Sequence, residues 1–140
     1  MTQQYEMSIE IGFKHCDPAG IVFYPRYVEM LNDTVESWFK HALGVDFATL
    51  HGTHRLGIPT VNLQCDFKAP SRLGETLTSR LVVERIGRSS ITLKISLHGT
   101  DSEASLRLGA QIVLVITDLN TMTSSEIPQR LREPMAHFLG

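Results

Sequence analysis

The sequence predicts an α+β domain in which a curved five-stranded antiparallel sheet wraps around one long helix. Three observations predict it. The chain opens on a segment with strand periodicity, a single amphipathic helix follows, and four further strand-like segments fill most of the remainder. A helix with one apolar stripe must bury it, and an antiparallel sheet can offer one face for that purpose.

The first segment, Tyr5 to Lys14, alternates. Met7, Ile9, Ile11 and Phe13 fall on one face, with Glu6, Ser8, Glu10 and Lys14 between them. Asp17-Pro18-Ala19-Gly20 then reads as a β-turn, because Asp is favoured at its first position, Pro presets φ at the second and Gly suits the fourth. Pro25 fits the first turn of a helix, where a missing N–H costs nothing. From there Leu31, Val35, Trp38, Phe39, Ala42 and Leu43 recur at helical spacing, with Glu29, Asn32, Asp33, Glu36 and Lys40 on the other positions. Gly44 stands where a C-terminal stop belongs. Asp46 to Leu56 predicts a short helical turn and a loop.

Beyond it the pattern is β. Ile58 to Lys68 is one strand, closed by Ala69-Pro70-Ser71-Arg72-Leu73-Gly74. Thr76 to Ile86 is the next, and Gly87-Arg88-Ser89-Ser90 is its hairpin turn. Ile91, Leu93, Ile95 and Leu97 alternate with Thr92, Lys94, Ser96 and His98 to give another. Leu106 to Asp118 is the last, continuously apolar from Ile112 to Ile116, and Pro128 to Leu139 predicts a short terminal helix. A sheet of this kind leaves edges that a partner subunit can cover.

A length of 140 residues suits one domain over 1–140, and neither linker, repeat nor low-complexity tract interrupts it. Hydrophobic residues at 42% and charged residues at 20% are those of an ordinary globular protein. The net charge of −2 argues against a general nucleic-acid binder. The opening Met1-Thr2-Gln3-Gln4 is polar, and no apolar run approaches a membrane span. Cys16 and Cys65 do not make a disulfide framework, so the expectation is a reduced, cytoplasmic protein.

Few residues suggest chemistry by themselves. Asp17 reads first as a turn residue. His51 and His54 have a spacing that suits a metal, but no Cys, Asp or Glu nearby completes a set, so no metal is expected. His15 precedes Asp17 by two, which in an extended segment puts both on one side. Arg85, Arg88, Ser89 and Ser90 gather phosphate-capable groups around one predicted hairpin, with Lys68 and Arg72 as weaker candidates. No Gly-x-x-x-x-Gly-Lys-Ser/Thr phosphate loop occurs.

The run Phe13-Lys14-His15-Cys16-Asp17-Pro18-Ala19-Gly20-Ile21-Val22-Phe23-Tyr24-Pro25-Arg26-Tyr27 resembles the signature loop of the hot-dog thioesterases. It is most similar to the 4-hydroxybenzoyl-CoA thioesterase branch and similar also to the Tol-Pal-associated acyl-CoA thioesterases. Pro70-Ser71-Arg72-Leu73-Gly74-Glu75 resembles that family's turn between central strands, and the strand order fits over nearly the whole chain. Many Tol-Pal-associated relatives carry a histidine where this chain has Pro25, whereas the benzoyl-type branch tolerates proline there.

The resemblance implies a hot-dog fold and hydrolysis of an acyl- or aroyl-CoA, with coenzyme A as part of the substrate and no further cofactor. Such hydrolysis needs a stabilised carbonyl oxygen and a supplied or activated nucleophile. The resemblance points to Asp17 as nucleophile or general base and to the Tyr24 amide, at the positive end of a helix, as oxyanion donor. Gly20 beside them serves either backbone conformation or close substrate approach. The resemblance also implies that Arg85, Arg88, Ser89 and Ser90 meet the nucleotide phosphates, and that the protein is a homo-oligomer, a dimer of dimers with its pocket between subunits. Two alternatives remain open: a 3-hydroxyacyl-thioester dehydratase using His15 with Asp17, and a non-catalytic acyl-CoA-binding domain.

Overall fold

The computed structural model describes residues 3–101 and 103–140. Met1 and Thr2, half of the polar opening noted above, lie outside the described residues. In chain order the elements are β1 (Tyr5–Glu10), a 3-10 turn (Phe13–His15), α1 (Tyr24–Trp38) continued by a π-helical turn (Phe39–Leu43), α2 (Phe47–Gly52), β2 (Leu56–Gly57), β3 (Thr60–Phe67), β4 (Thr76–Ile86), β5 (Ser90–Gly99), β6 (Leu106–Val115), β7 (Thr117–Asp118), β8 (Thr123–Ser124) and α3 (Gln129–Ala136). Five strands form the main sheet in the order β1-β4-β5-β6-β3, and every pair in it is antiparallel.

The sheet's inner face is set by alternation. Leu77, Leu81 and Val83 of β4, Ile91, Leu93, Ile95 and Leu97 of β5, and Leu108, Ala110, Ile112 and Leu114 of β6 are buried in one cluster with Met30, Leu31, Val35 and Trp38 of α1. Burying one such side chain stabilises the fold by about 2 kcal/mol. Two polar contacts register the helix on this apolar surface. Thr34 Oγ1 lies 2.8 Å from Ser79 Oγ, and the Tyr27 hydroxyl donates to Ser71 Oγ at 2.9 Å. The helix ends at Gly44, whose φ of 79° closes the π-helical turn.

Three details depart from the sequence reading. Strand character stops at Glu10 rather than running to Lys14, because β4 begins at Thr76, opposite Glu10, and offers no partner beyond. Phe13, expected on the buried face, is 85% exposed on the 3-10 turn. The last long strand divides at Ile116, so that β7 joins β2 and β8 in a second, three-stranded sheet. Strands of two residues are too short to carry a periodic signal.

β3 is the least protected element. It pairs with β6 on one side and has no strand on the other, and Val61 (59%), Leu63 (39%) and Phe67 (50%) keep much of their surface exposed.

At one end of the sheet Arg107 is buried. Its guanidinium meets both carboxylate oxygens of Glu75, at 3.1 and 2.9 Å. Removing one partner of a fully buried pair costs about 3–5 kcal/mol; the cost here is lower, because Glu75 keeps a third of its side chain in water. The Arg107 hydrogen bonds, outweighing the opposing effect of burial, hold the Glu75 carboxyl below its ordinary value of 4.5. A depressed folded-state value means that the stabilisation is complete above 4.5 and is lost as pH falls through the lower, folded value. Glu75→Gln is therefore expected to be less stable than the native chain near neutrality, by an amount that shrinks as pH falls below 4.5 through the folded-state value. Urea unfolding of both proteins across that range measures it; a gap that does not narrow with acidity contradicts the assignment.

Candidate active site

The loop from Cys16 to Val22 closes on itself and leads directly into α1. Cys16 and Val22 form a β-bridge, the Asp17 N–H donates to the Ile21 carbonyl at 3.0 Å, and the Gly20 N–H donates to the Asp17 carbonyl at 2.9 Å. This is the predicted turn. Gly20 has a φ of 78°, a left-handed conformation that a side chain at this position would strain. Asp17 is half-buried. Its Oδ1 accepts the Ala19 N–H at 2.9 Å, an Asx arrangement that orients the carboxylate and leaves Oδ2 without a donor among the described residues.

Tyr24 is the first residue of α1, and its amide has no acceptor among the described residues. A first-turn N–H has no partner inside the helix, and here Pro25 follows with no N–H at all, while the next donor, Arg26, bonds the Phe23 carbonyl at 2.9 Å. The Tyr24 amide is thus an open donor at the positive end of a helix of 15 residues. The Tyr24 ring, 63% exposed, sits edge-on to Phe23 and to Phe67 of β3, with centroids 5.5 and 6.2 Å away.

Residues 70–75 form the platform beneath both. The Val22 N–H donates to the Ser71 carbonyl at 2.9 Å, the Leu73 N–H to the Gly20 carbonyl at 3.1 Å, and Ile21 bridges to Arg72. Sequence reasoning read this segment as the close of a strand, and linked it to the family by resemblance. It missed Arg107, which between Leu106 and Leu108 takes the polar position of the alternation and so gives no signal of its burial.

His15 does not pair with Asp17. The 3-10 turn breaks the extended path that the alternation argument needed, and His15 Nδ1 instead accepts the Gly12 N–H at 2.9 Å. Burial, then the nearby charges of Lys14 and Arg26, push its pKa below 6.5, in keeping with a ring nitrogen that serves as an acceptor. His51, near the end of α2, packs against the Phe47 ring at 5.4 Å.

Beside α1 runs a groove of about 790 Å³, lined by Val28, Leu31, Val35, Phe47, Leu63 and Ile112, with Glu29, Asn32, Asp33, His51 and Thr60 among its polar residues. Val28 follows Tyr24 by four residues on the same helix face, so the groove begins about 6 Å along the axis from the open amide. Its far wall is β3, one of the two edge strands of the main sheet.

Arg85, Arg88, Ser89 and Ser90 do come together on the β4–β5 hairpin. A bulge between Val83 and Arg85 sets Arg85 opposite Thr92, on the outer face of the sheet. A Cβ at Gly87 would stand 2.6 Å from Ser90 Oγ, a contact that rotation of the serine hydroxyl relieves. The Arg88 carbonyl accepts from Ile127 N–H and from Arg132, which fixes the turn while leaving the Arg88 side chain exposed. This hairpin lies at the opposite end of β4 from the Asp17 loop. Eleven residues of strand separate the two, roughly 35 Å at 3.3 Å per residue.

The Thioesterase superfamily model matches residues 19–106. Among curated proteins the chain is similar to a 4-hydroxybenzoyl-CoA thioesterase from Pseudomonas sp. (strain CBS-3), with 26% identity over 133 residues that cover 91% of this chain and 94% of the relative. Among solved structures it is similar to a 1,4-dihydroxy-2-naphthoyl-CoA thioesterase from Synechocystis, with a TM-score of 0.87, 19% identity and 96% of each chain covered. It is also similar to the Staphylococcus aureus protein SAV2348 solved in complex with CoA, with a TM-score of 0.87, 14% identity, and coverage of 99% of this chain and 85% of that one. At these identities the structural likeness is one of fold, the hot-dog fold.

Proposed function

This chain belongs to the Thioesterase superfamily, and on that premise we propose that it hydrolyses an acyl- or aroyl-coenzyme A to the free acid and coenzyme A, with Asp17 as its reacting carboxylate. The observation that carries the reading is the pairing, within one short loop, of a carboxylate oxygen without a donor and a helix-start amide without an acceptor. The thioester carbonyl oxygen takes the Tyr24 N–H, which is aimed where negative charge develops as the carbonyl is attacked. Asp17 either attacks the carbonyl carbon and expels the coenzyme A thiolate, giving an anhydride that water then cleaves, or takes a proton from a water whose attack expels that thiolate. The groove along α1 receives the acyl group. Family relatives that act on aromatic CoA esters support an aroyl substrate, and the apolar lining suits one. The dehydratase alternative loses its histidine, since His15 is turned to Gly12. An acyl-CoA-binding domain without activity has no use for a free carboxylate at this point. The reading carries with it a cytoplasmic location, with Cys16 and Cys65 as the free thiols they are in this structure.

The nucleotide grip requires a second copy. One chain keeps its Arg88 hairpin at the Thr60 end of β3 and its Asp17 loop at the Phe67 end, as the pairs Thr60–Leu114 and Ser90–Val115 and the Tyr24–Phe67 contact define. Pairing of the free β3 edges about a two-fold axis, with both helices on the same face, makes the two strands antiparallel. The hairpin of one copy then lies at the Asp17 end of the other. This is the assembly we propose, with a further pairing of dimers into a tetramer.

A release assay for free thiol over short-chain, long-chain and aromatic CoA esters tests the activity. Asp17→Asn keeps the shape and removes the charge, and is expected to lower kcat by about 10² or more with a smaller change in KM; near-native kcat in that variant rejects the assignment. Arg88→Ala is expected to raise KM for a CoA ester several-fold through phosphate contact, less so at high salt, where the Debye length falls below about 10 Å. An equal loss in kcat means that the phosphates are held elsewhere. Sedimentation at micromolar concentration is expected to show dimers or larger species, and an active monomer excludes the composite site.

A further inference from the structure

Arg107 stands on β6, far along the chain from the loop that carries Asp17, yet its hydrogen bonds converge beneath that loop. Nη1 donates to Glu75 Oε1 at 3.1 Å, to the Pro70 carbonyl at 3.2 Å and to Ser71 Oγ at 3.3 Å, while Nη2 donates to Glu75 Oε2 at 2.9 Å. Nε donates to Ser105 Oγ at 3.0 Å. The Arg107 side chain is 7% exposed, while its partner Glu75 keeps a third of its side chain in water; the contact with Ser71 is the buried one.

Ser71 is where this cluster meets the site. It is fully buried, and its hydroxyl receives both Arg107 and the hydroxyl of Tyr27 in the first turn of α1. Its carbonyl receives the Val22 N–H, two residues before the open Tyr24 amide. Two residues on, the Leu73 N–H holds the Gly20 carbonyl, three residues after Asp17. Glu75 completes the cluster by accepting the Arg72 N–H at 2.7 Å, which stiffens the turn from within. An apolar residue at position 107 would spare the fold the desolvation of a charge, so packing alone does not account for a buried guanidinium here. A planar fork with several fixed donors does account for it, because it can hold a carboxylate, a carbonyl and a hydroxyl at set angles together.

We propose that Arg107 is a positioning residue for thioester hydrolysis, acting through Ser71 and Tyr27 to fix the start of α1, and with it the Tyr24 amide, relative to Asp17. The inference rests on the reading of Asp17 and Tyr24 given above. It touches neither the substrate nor the reacting atoms. Its effect is geometric, and misplacing catalytic groups by about 1 Å can lower rates by about 10²-fold.

Tyr27→Phe deletes one oxygen and keeps the ring; Ser71→Ala deletes the hub. Each is expected to lower kcat for a CoA thioester about 10-fold, with KM within about twofold of native. The double variant is expected to be no slower than the slower single, because both break one link. Arg107→Lys keeps the charge but loses the fork, and the same fall in kcat is expected. Met135→Ala, in α3 and away from this cluster, supplies a destabilised reference whose kcat below its Tm stays native. Variants of Tyr27 and Ser71 with native kcat overturn the proposal, as does a kcat loss that Met135→Ala reproduces at equal Tm. If Arg107→Lys does not fold, Tyr27→Phe decides. An active native protein with unimpaired variants rejects this inference alone, whereas a native protein that releases no thiol from any CoA ester rejects the thioesterase reading beneath it.

Discussion

The pairing of Arg107 with Glu75 is the contact on which the rest of the site depends. It is a strand residue and a turn residue joined by two charge-assisted hydrogen bonds at the end of the sheet. With it in place, residues 70–75 are stiff enough to act as a platform, and two backbone groups of the Asp17 loop, the Val22 N–H and the Gly20 carbonyl, use them as such. The electrostatics follow the same geometry. The guanidinium lowers the Glu75 pKa, and Glu75 in turn raises that of Arg107, so near neutrality both stay charged and the platform keeps its shape.

On that platform two features with different origins meet. The open amide at Tyr24 arises from helix geometry: a first turn lacks internal acceptors, and Pro25 removes a competing donor. The available oxygen of Asp17 arises from turn geometry: an Asx bond uses one carboxylate oxygen and leaves the other. Neither is chemically unusual. What makes them a site is that the loop is seven residues long, is bridged at its ends by Cys16 and Val22, and enters the helix at once. Positions that close in sequence, locked by a β-bridge, hold a donor and a carboxylate on one short loop.

The sheet edge accounts for the remainder. β3 is long, exposed and partly apolar, the kind of edge that monomeric proteins avoid and oligomers use. It also forms the wall of the groove beside α1, so whatever covers β3 also closes that groove. The roughly 35 Å length of β4 gives the same edge a second consequence, since it separates the basic hairpin from the Asp17 loop within a chain. One strand therefore carries both an open sheet edge and a wall of the groove.

Much of this was legible in the residues. Alternation in β4 and β5, the helical stripe from Leu31 to Leu43, Gly44 as its stop and Asp17-Pro18-Ala19-Gly20 as a turn are local patterns, and local patterns suffice where one face of an element is buried and the other is not. The loop at Asp17 and Tyr24 was likewise readable, because its components are sequence neighbours with a recognisable order. Tertiary structure alone decided the rest. That Phe13 faces solvent depends on where β4 begins, and that His15 bonds Gly12 rather than Asp17 depends on a 3-10 turn which the alternating pattern concealed. That Arg107 lies under the Asp17 loop, and that Arg88 lies a strand's length from it, follow from pairings between segments far apart in the chain. Such pairings are set by how the whole apolar surface is buried at once, and no short window of sequence contains that information.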